Sequence, residues 1–306
     1  MVDSSLLLQP LLSGIILGSL YALMAMGLTL IYSTIRVLNF AHGAFFVAGA
    51  YVVWWLNTPS SALYGVAIPT SGLMVPLAVA LVPAVLLIFG AGAATQRAII
   101  KPLLRRSNPL ITTLVATLAL ATILESVATL IFGGYRVQFV SEIAEGSIRY
   151  AGLILTNAQL VQLVVAVGVL LALQIFLKRS RIGIGMRAVA QDLDAANLCS
   201  INTETVYLLT FGLGAALAAV AGFLLTNIVF LSPSSGSGPL TIAFIIVVFG
   251  GIGSVPGTIL ASYVIAITEQ YVTLLLDSSW GLTFAFLLMM IVLVVRPRGL
   301  FGFKEI

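Results

Sequence analysis

The sequence predicts an all-α protein that crosses a membrane about eight or nine times, with two of its helices broken or re-entrant. Hydrophobic residues make up 60% of the 306 residues and charged residues only 8%, whereas a soluble domain carries about 25% charged residues. Apolar runs long enough to span a bilayer recur along the whole chain. We therefore expect residues 1–306 to form a single transmembrane domain.

Nine apolar segments are the candidate spans. They lie near residues 11–31, 43–56, 72–95, 109–132, 158–177, 207–231, 240–249, 257–276 and 281–295. The segment at 240–249 is too short to cross by itself, and we expect it to continue into the glycine-rich break that follows it.

The basic residues predict the orientation of the chain. Of the 14 lysines and arginines, only Arg136 and Arg149 lie outside four segments: the end of the first span, 96–108, 178–205 and the C-terminal tail. Span parity places these four segments on one side, and cytoplasmic loops carry an excess of Lys and Arg. We expect the N-terminus outside and the C-terminus in the cytoplasm. This placement explains the net charge of +4 as a topology signal and excludes a nucleic-acid-binding patch.

Two short interruptions of the apolar pattern predict a solute path. They are Asn39-Phe-Ala-His-Gly43 and Gly250-Gly-Ile-Gly-Ser254. Irregular backbone at membrane depth is tolerated only inside protein or beside a water-filled cavity. The candidate path residues from these breaks are Asn39, His42, Gly250, Gly251 and Gly253. For His42, the alternative is a helix-end residue that bonds internal backbone, and Asn39 can serve either role.

Glu125 and Glu269 lie well inside apolar spans. An ionisable group there costs on the order of 2–3 kcal/mol and usually faces a cavity or a partner. Each is a candidate path residue, and the alternative is a carboxyl group that ties two helices together.

Small residues recur four apart in two spans, at Gly14, Gly18 and Ala22 and again from Gly212 to Gly222. This spacing lets helix backbones approach closely in lipid. It is consistent with packing inside one subunit and with a subunit interface.

The longest loop between spans, 178–205, begins with basic residues and glycines and becomes a helix candidate over 186–199. Asn202 and Thr203 can cap the next helix, with Glu204 in its first turn. Ala195, Ala196 and Cys199 would give this helix a small-residue side that docks on a partner. The alternative is a helix lying at the lipid headgroups.

Several chemistries lack their residues. The chain has no Gly-x-x-x-x-Gly-Lys-Ser/Thr loop for phosphate binding, one histidine, one cysteine and no Gly-x-Ser-x-Gly nucleophile motif. We therefore expect no enzyme activity, no metal site and no cofactor of its own.

Four ordered stretches resemble the membrane subunits of branched-chain amino acid ABC importers, a family that also includes permeases for urea, short amides and aromatic acids. The stretches span nearly the whole chain: Arg36–Tyr51, Arg187–Thr203, Phe249–Gly257 and Arg296–Gly302.

The resemblance implies an ABC importer permease fold in a bacterial or archaeal plasma membrane. It implies two cytoplasmic ATP-binding subunits that hydrolyse ATP, a second permease subunit that is either a related chain or a second copy of this one, and a periplasmic or lipid-anchored solute-binding protein. Glu269 matches an acidic position of the family. The loop becomes a coupling helix that docks on the ATPase, with contributions from Arg187, Asp192, Asp194, Ala195, Ala196, Cys199 and Ser200. Ser200 stands where the family pattern has glycine, so the geometry of that turn is in question.

The expected cargo is a branched-chain or other hydrophobic amino acid. One rival function is an ion-coupled secondary transporter with Glu125 or Glu269 as the ion site. Another is a channel, although no filter is evident in the sequence.

Overall fold

The computed structural model describes residues 4–58, 62–63, 66–67, 71, 73, 75–137, 146–150, 153–226 and 230–302. Within these ranges the regular secondary structure is helical apart from two short antiparallel hairpins. The helices are α1 Ser4–Ile35, α2 His42–Asn57, α3 Leu77–Thr95, α4 Lys101–Leu103, α5 Pro109–Phe132, α6 Asn157–Arg179, α7 Arg181–Gln191, α8 Leu193–Leu198, α9 Thr203–Leu225, α10 Ser237–Gly250, α11 Val255–Leu275 and α12 Gly281–Val295. The strands are β1 Ala62–Leu63, β2 Val66–Ala67, β3 Ser147–Tyr150 and β4 Leu153–Thr156.

Seven of the described helices are long and apolar enough to cross a membrane: α1, α3 with its continuation to Leu103, α5, α6, α9, α11, and α12 with the short turn before it. The two remaining predicted spans correspond to shorter helices, α2 with 16 residues and α10 with 14. The predicted all-α, multi-pass fold is confirmed.

Helices α1 and α9 form the buried centre of the bundle. The small residues of α1 face α11, where a methyl group added at Gly14 would lie 2.7 Å from the Cα atom of Ile267. On α9, a methyl group at Gly214 would lie 2.7 Å from the Cδ1 atom of Ile31. Both stripes therefore pack inside one subunit.

The four basic segments meet at one end of the bundle, which we name the basic end. The Nζ atom of Lys101 lies 2.8 Å from Oε2 of Glu204, joining the 96–108 and 178–205 segments. Arg36 and Asp192 line one cavity there. The C-terminal tail joins this end through Phe301, whose N–H donates to the carbonyl of Gly250 at 3.0 Å.

The predicted single helix over 186–199 is wrong, because the structure divides the segment into α7 and α8. Asp192 separates them with an extended backbone, and its Oδ1 atom accepts the N–H groups of Asp194 and Ala195 at 2.9 and 3.0 Å. The carboxylate satisfies backbone donors that would otherwise lack acceptors at a helix start. Asn202 caps α9 as predicted, accepting the N–H of Thr205 at 3.1 Å.

Candidate functional site

The first break lies between α1 and α2, beside the middle of α5. The N–H of Phe40 donates to Oγ1 of Thr117 at 3.2 Å, and that hydroxyl lies 3.4 Å from the carbonyl of Leu38. A side chain of another span thus satisfies backbone groups that lost their helical partners, as irregular chain at depth requires.

Asn39 and His42 are fully buried at the start of α2. His42 Nε2 lies 3.0 Å from the carbonyl of Met24 and must donate to it, which leaves Nδ1 as an acceptor. Asn39 Oδ1 accepts the N–H of Ala41 at 3.1 Å. The Asn39 Nδ2 and His42 Nδ1 atoms have no hydrogen-bond partner among the described residues. These contacts support the helix-end role, and a path role for either residue stays a prediction.

The second predicted break, Gly250 to Gly253, lies at the basic end rather than at depth. A methyl group at Gly250 would lie 2.5 Å from the carbonyl of Gly257, and one at Gly251 would lie 2.5 Å from the N atom of Gly302. Gly251 and Gly253 also have positive φ values of 102° and 84°, which glycine adopts without steric cost. These glycines allow the turn and the tail to pack closely, and none of them lines the Glu269 cavity described below.

The interruption at depth in this half lies earlier, before α10. Gly236 contacts the carbonyl group of Gly43, so α10 begins where α2 begins. Helices α2 and α10 therefore meet at their N-terminal ends. The run Ser232–Pro239, rich in Ser, Gly and Pro, is the signal that sequence reasoning missed.

A cavity of about 360 Å³ opens beside the start of α10; we name it the Glu269 cavity. Its polar groups include Glu269 of α11 and the hydroxyl of Tyr21 of α1, which lies 3.1 Å from Oε2 and 3.3 Å from Oε1 of Glu269. The lining residues are Leu17, Tyr21, Phe46, Leu225, Thr226, Phe230, Ser235, Gly238, Pro239, Ile242, Glu269 and Gln270. Glu269 therefore ties two helices together and also faces a cavity.

Glu125 points away from the rest of the chain. It lies on the exposed face of α5 with Thr122 three residues before it, Ser126 next to it and Thr129 four residues after it; these four residues are the polar stripe. The Glu125 carboxyl makes no hydrogen bond or ion pair with any described residue. A structural tie within the described part of the subunit is therefore not seen.

The loop at the basic end presents apolar side chains outside the spans. Leu198 of α8 is 88% exposed and Leu193 is 42% exposed, and Cys199 is exposed as well. Ala195 is exposed, but Ala196 is only 3% exposed and packs inward, so the predicted small-residue docking side is wrong for Ala196. Ser200 has a φ of 59°, so it holds the left-handed turn that the family pattern gives to glycine.

A multi-pass bundle with two interrupted helices that meet at depth, beside a cavity holding a carboxyl group, defines a membrane transport protein. The sequence model of the family described as the permease component of branched-chain amino acid transport systems matches residues 11–293. The chain belongs to this family, which confirms the resemblance; it is a family of transport permeases rather than of enzymes.

Named relatives agree over nearly their whole length. The chain is 34% identical to the high-affinity branched-chain amino acid transport permease LivH of Salmonella typhimurium, covering 98% of this chain and 96% of the relative. It is 31% identical to BraD of Pseudomonas aeruginosa, covering 98% and 97%. It is 29% identical to the probable LivH of Methanocaldococcus jannaschii, covering 94% and 90%. No solved structure matches the chain.

Proposed function

We propose that this permease forms the path of an ATP-driven importer for branched-chain or similar hydrophobic amino acids. Two cytoplasmic ATP-binding subunits would hydrolyse ATP, a second permease subunit would complete the path, and a solute-binding protein would deliver the cargo. The cargo is supported by the names of the relatives, which describe high-affinity branched-chain amino acid transport.

The observation that carries an ATP-driven mechanism is the exposed surface of α8. Leu193 and Leu198 are apolar and exposed on this short helix, and the charged residues Asp192 and Asp194 flank Leu193. Exposed apolar side chains with charged neighbours, outside the membrane-spanning helices, are typical of a protein interface. We assign this surface to the ATP-binding subunit.

The basic end would face the cytoplasm. The four segments that carry most of the Lys and Arg meet there, which supports a positive-inside orientation with the N-terminus outside. The ATP-binding subunit would then reach α8 from the cytoplasm.

The polar stripe of α5 would face the second permease subunit across the path. A carboxyl group turned toward lipid is unfavourable, and the described part of this subunit does not cover Glu125. Water or a polar face of the other permease would satisfy it in the assembled complex.

Reconstituted transport tests the function. Leucine uptake into proteoliposomes holding the full complex should require ATP and stop with vanadate. Uptake that continues with vanadate and stops with an ionophore would favour a secondary transporter.

Arginine substitutions at the neighbouring residues Ala195 and Ala196 test the docking surface. Ala195→Arg should leave the permease inserted and abolish the coupling of ATP hydrolysis to uptake, because a bulky charge blocks contact at α8. Ser107→Arg, which adds the same charge at an exposed site in another loop of the basic end, is the matched control and should keep coupling. Ala196→Arg should reduce the amount of folded protein, because it buries a charge. Normal coupling in Ala195→Arg would exclude α8 as the docking surface.

A further inference from the structure

We propose that the Glu269 cavity is a binding site for the zwitterionic group of the cargo during its passage. The inference rests on the proposed function and names how the permease itself recognises an amino acid. The polar side chains that line the cavity are Tyr21, Thr226, Ser235, Glu269 and Gln270.

The first wall offers a carboxylate. Glu269 is held by the Tyr21 hydroxyl, and Tyr21 is only 7% exposed. A carboxylate accepts through about four lone-pair positions, and one phenol proton occupies a single position. The remaining capacity suits an ammonium group, which has three donors and the opposite charge.

A second wall suits the carboxylate of the same cargo. It is formed by the first turn of α10, at Gly238 and Pro239. Of the first four residues of α10, Pro239 has no N–H, and the N–H groups of Ser237 and Leu240 already donate to the carbonyls of Ser234 and Gly236, at 3.4 and 3.1 Å. Among the described residues of this turn, the N–H of Gly238 is therefore the donor left for an anion, and the partial positive charge of the helix start lies beside it. A methyl group added at Gly238 would meet no atom within 4 Å, so a ligand can reach this backbone.

The remaining walls are mostly apolar. Leu17, Phe46, Leu225 and Ile242 are among the apolar residues that line the same cavity as Glu269 and Gly238. A pocket with apolar walls and a few fixed polar groups is typical of a small-molecule site. Glu269 and the start of α10 would select an ammonium and a carboxylate together, and the apolar walls would take a hydrophobic side chain. Urea and neutral amides lack both charges and would bind poorly.

Ligand-induced stabilisation of the full importer complex, measured without the binding protein, tests the site. Leucine should raise the melting temperature in a concentration-dependent way. The analogue 4-methylpentanoate, which lacks the ammonium group, should have little effect. In Glu269→Gln the apparent leucine affinity should fall by about tenfold or more, because a hydrogen bond between charged groups is lost. In Glu269→Asp and Tyr21→Phe the loss should be smaller.

Asp277→Asn is the matched control. It removes a carboxylate that is also near the end of α11 but outside the cavity, and asparagine still caps the short turn that Asp277 caps. Its leucine affinity should equal that of the wild type.

Three results would overturn the proposal. The first is no stabilisation of the wild-type complex by leucine, and the second is equal stabilisation by 4-methylpentanoate, which would indicate an acyl-chain or lipid cavity. The third is a Glu269→Gln complex that is less stable without ligand but keeps its leucine affinity, which would leave Glu269 a structural tie. ATP-driven leucine uptake by the wild type alongside any of these results would refute only the site. Absence of such uptake would refute the proposed function.

Discussion

Replacing Glu125 by glutamine removes one charge at membrane depth and keeps the size of the side chain. Glu125 lies seven residues before Phe132, the last residue of α5, which places it about 10 Å from that helix end. A carboxylate at such a position costs on the order of 2–3 kcal/mol when lipid faces it. In the structure this side chain is exposed and has no partner among the described residues.

Glu125→Gln should therefore fold normally. For the permease purified alone, we expect a melting temperature equal to or above that of the wild type, with a gain of at most about 1–2 kcal/mol, since glutamine is easier to desolvate than a carboxylate. In the assembled importer, uptake of a zwitterionic or cationic cargo should fall more than uptake of a neutral amide, because the charge would face the path.

Melting temperature and competitive uptake should be measured on the same variant, with Thr122→Ala as a control that alters the polar stripe without removing charge. A lower melting temperature with unchanged cargo preference would mean that Glu125 ties helices together, contrary to its exposure here. Wild-type values in both measurements would exclude Glu125 from the path.

Three further predictions concern packing and topology. Gly49→Ala should destabilise the permease by about 1–3 kcal/mol, because the new methyl group would lie 2.5 Å from the Cα atom of Ala219. Gly90→Ala should stabilise it by about 0.5–1 kcal/mol, because no atom lies within 4 Å of the new methyl group. Equal melting temperatures of the two variants would refute the packing. Ser200→Gly should stabilise by about 0.5–1 kcal/mol, since a non-glycine residue in the left-handed region costs about 1–2 kcal/mol and glycine returns part of that through chain entropy; a lower melting temperature would contradict this. Cys199 should react with an impermeant maleimide in inside-out vesicles but not in intact cells, and labelling of intact cells would reverse the proposed orientation.

The spans could be predicted from the sequence because lipid imposes one strong requirement on them. Backbone N–H and C=O groups must be hydrogen-bonded in hydrocarbon, and a helix bonds them within a single segment. Each long apolar run was therefore expected to form a helix. The cap at Asn202 was predictable for a local reason, because its side chain bonds the backbone three residues later. The gathering of the basic segments at one end follows from span parity alone.

The second interruption and the docking helix could not be placed as reliably. Glycines at 250–253 and at 236–238 give the same local signal, and only the contacts with Gly302 and with Gly43 show which group lies at the basic end and which lies at depth. The sequence predicted Asp192 to be a charged residue within one helix, but its side chain caps the start of a second helix, α8. The Glu269 cavity could not be predicted from the sequence, because Tyr21 and Glu269 are 248 residues apart in the chain.

The same buried helices connect the docking surface with the Glu269 cavity. At the basic end, α7 contacts both α1 and α9. Farther along, α1 contributes Tyr21 to the cavity and α9 contributes Leu225. Packed helices move as rigid bodies, so a tilt that the proposed ATP-binding subunit imposed on α8, and through it on α7, would shift Tyr21 relative to the start of α10. Because Tyr21 holds Glu269, such a tilt would change the distance between the carboxylate and Gly238. A zwitterion that bridges these two groups would then be released without any change in its own charge.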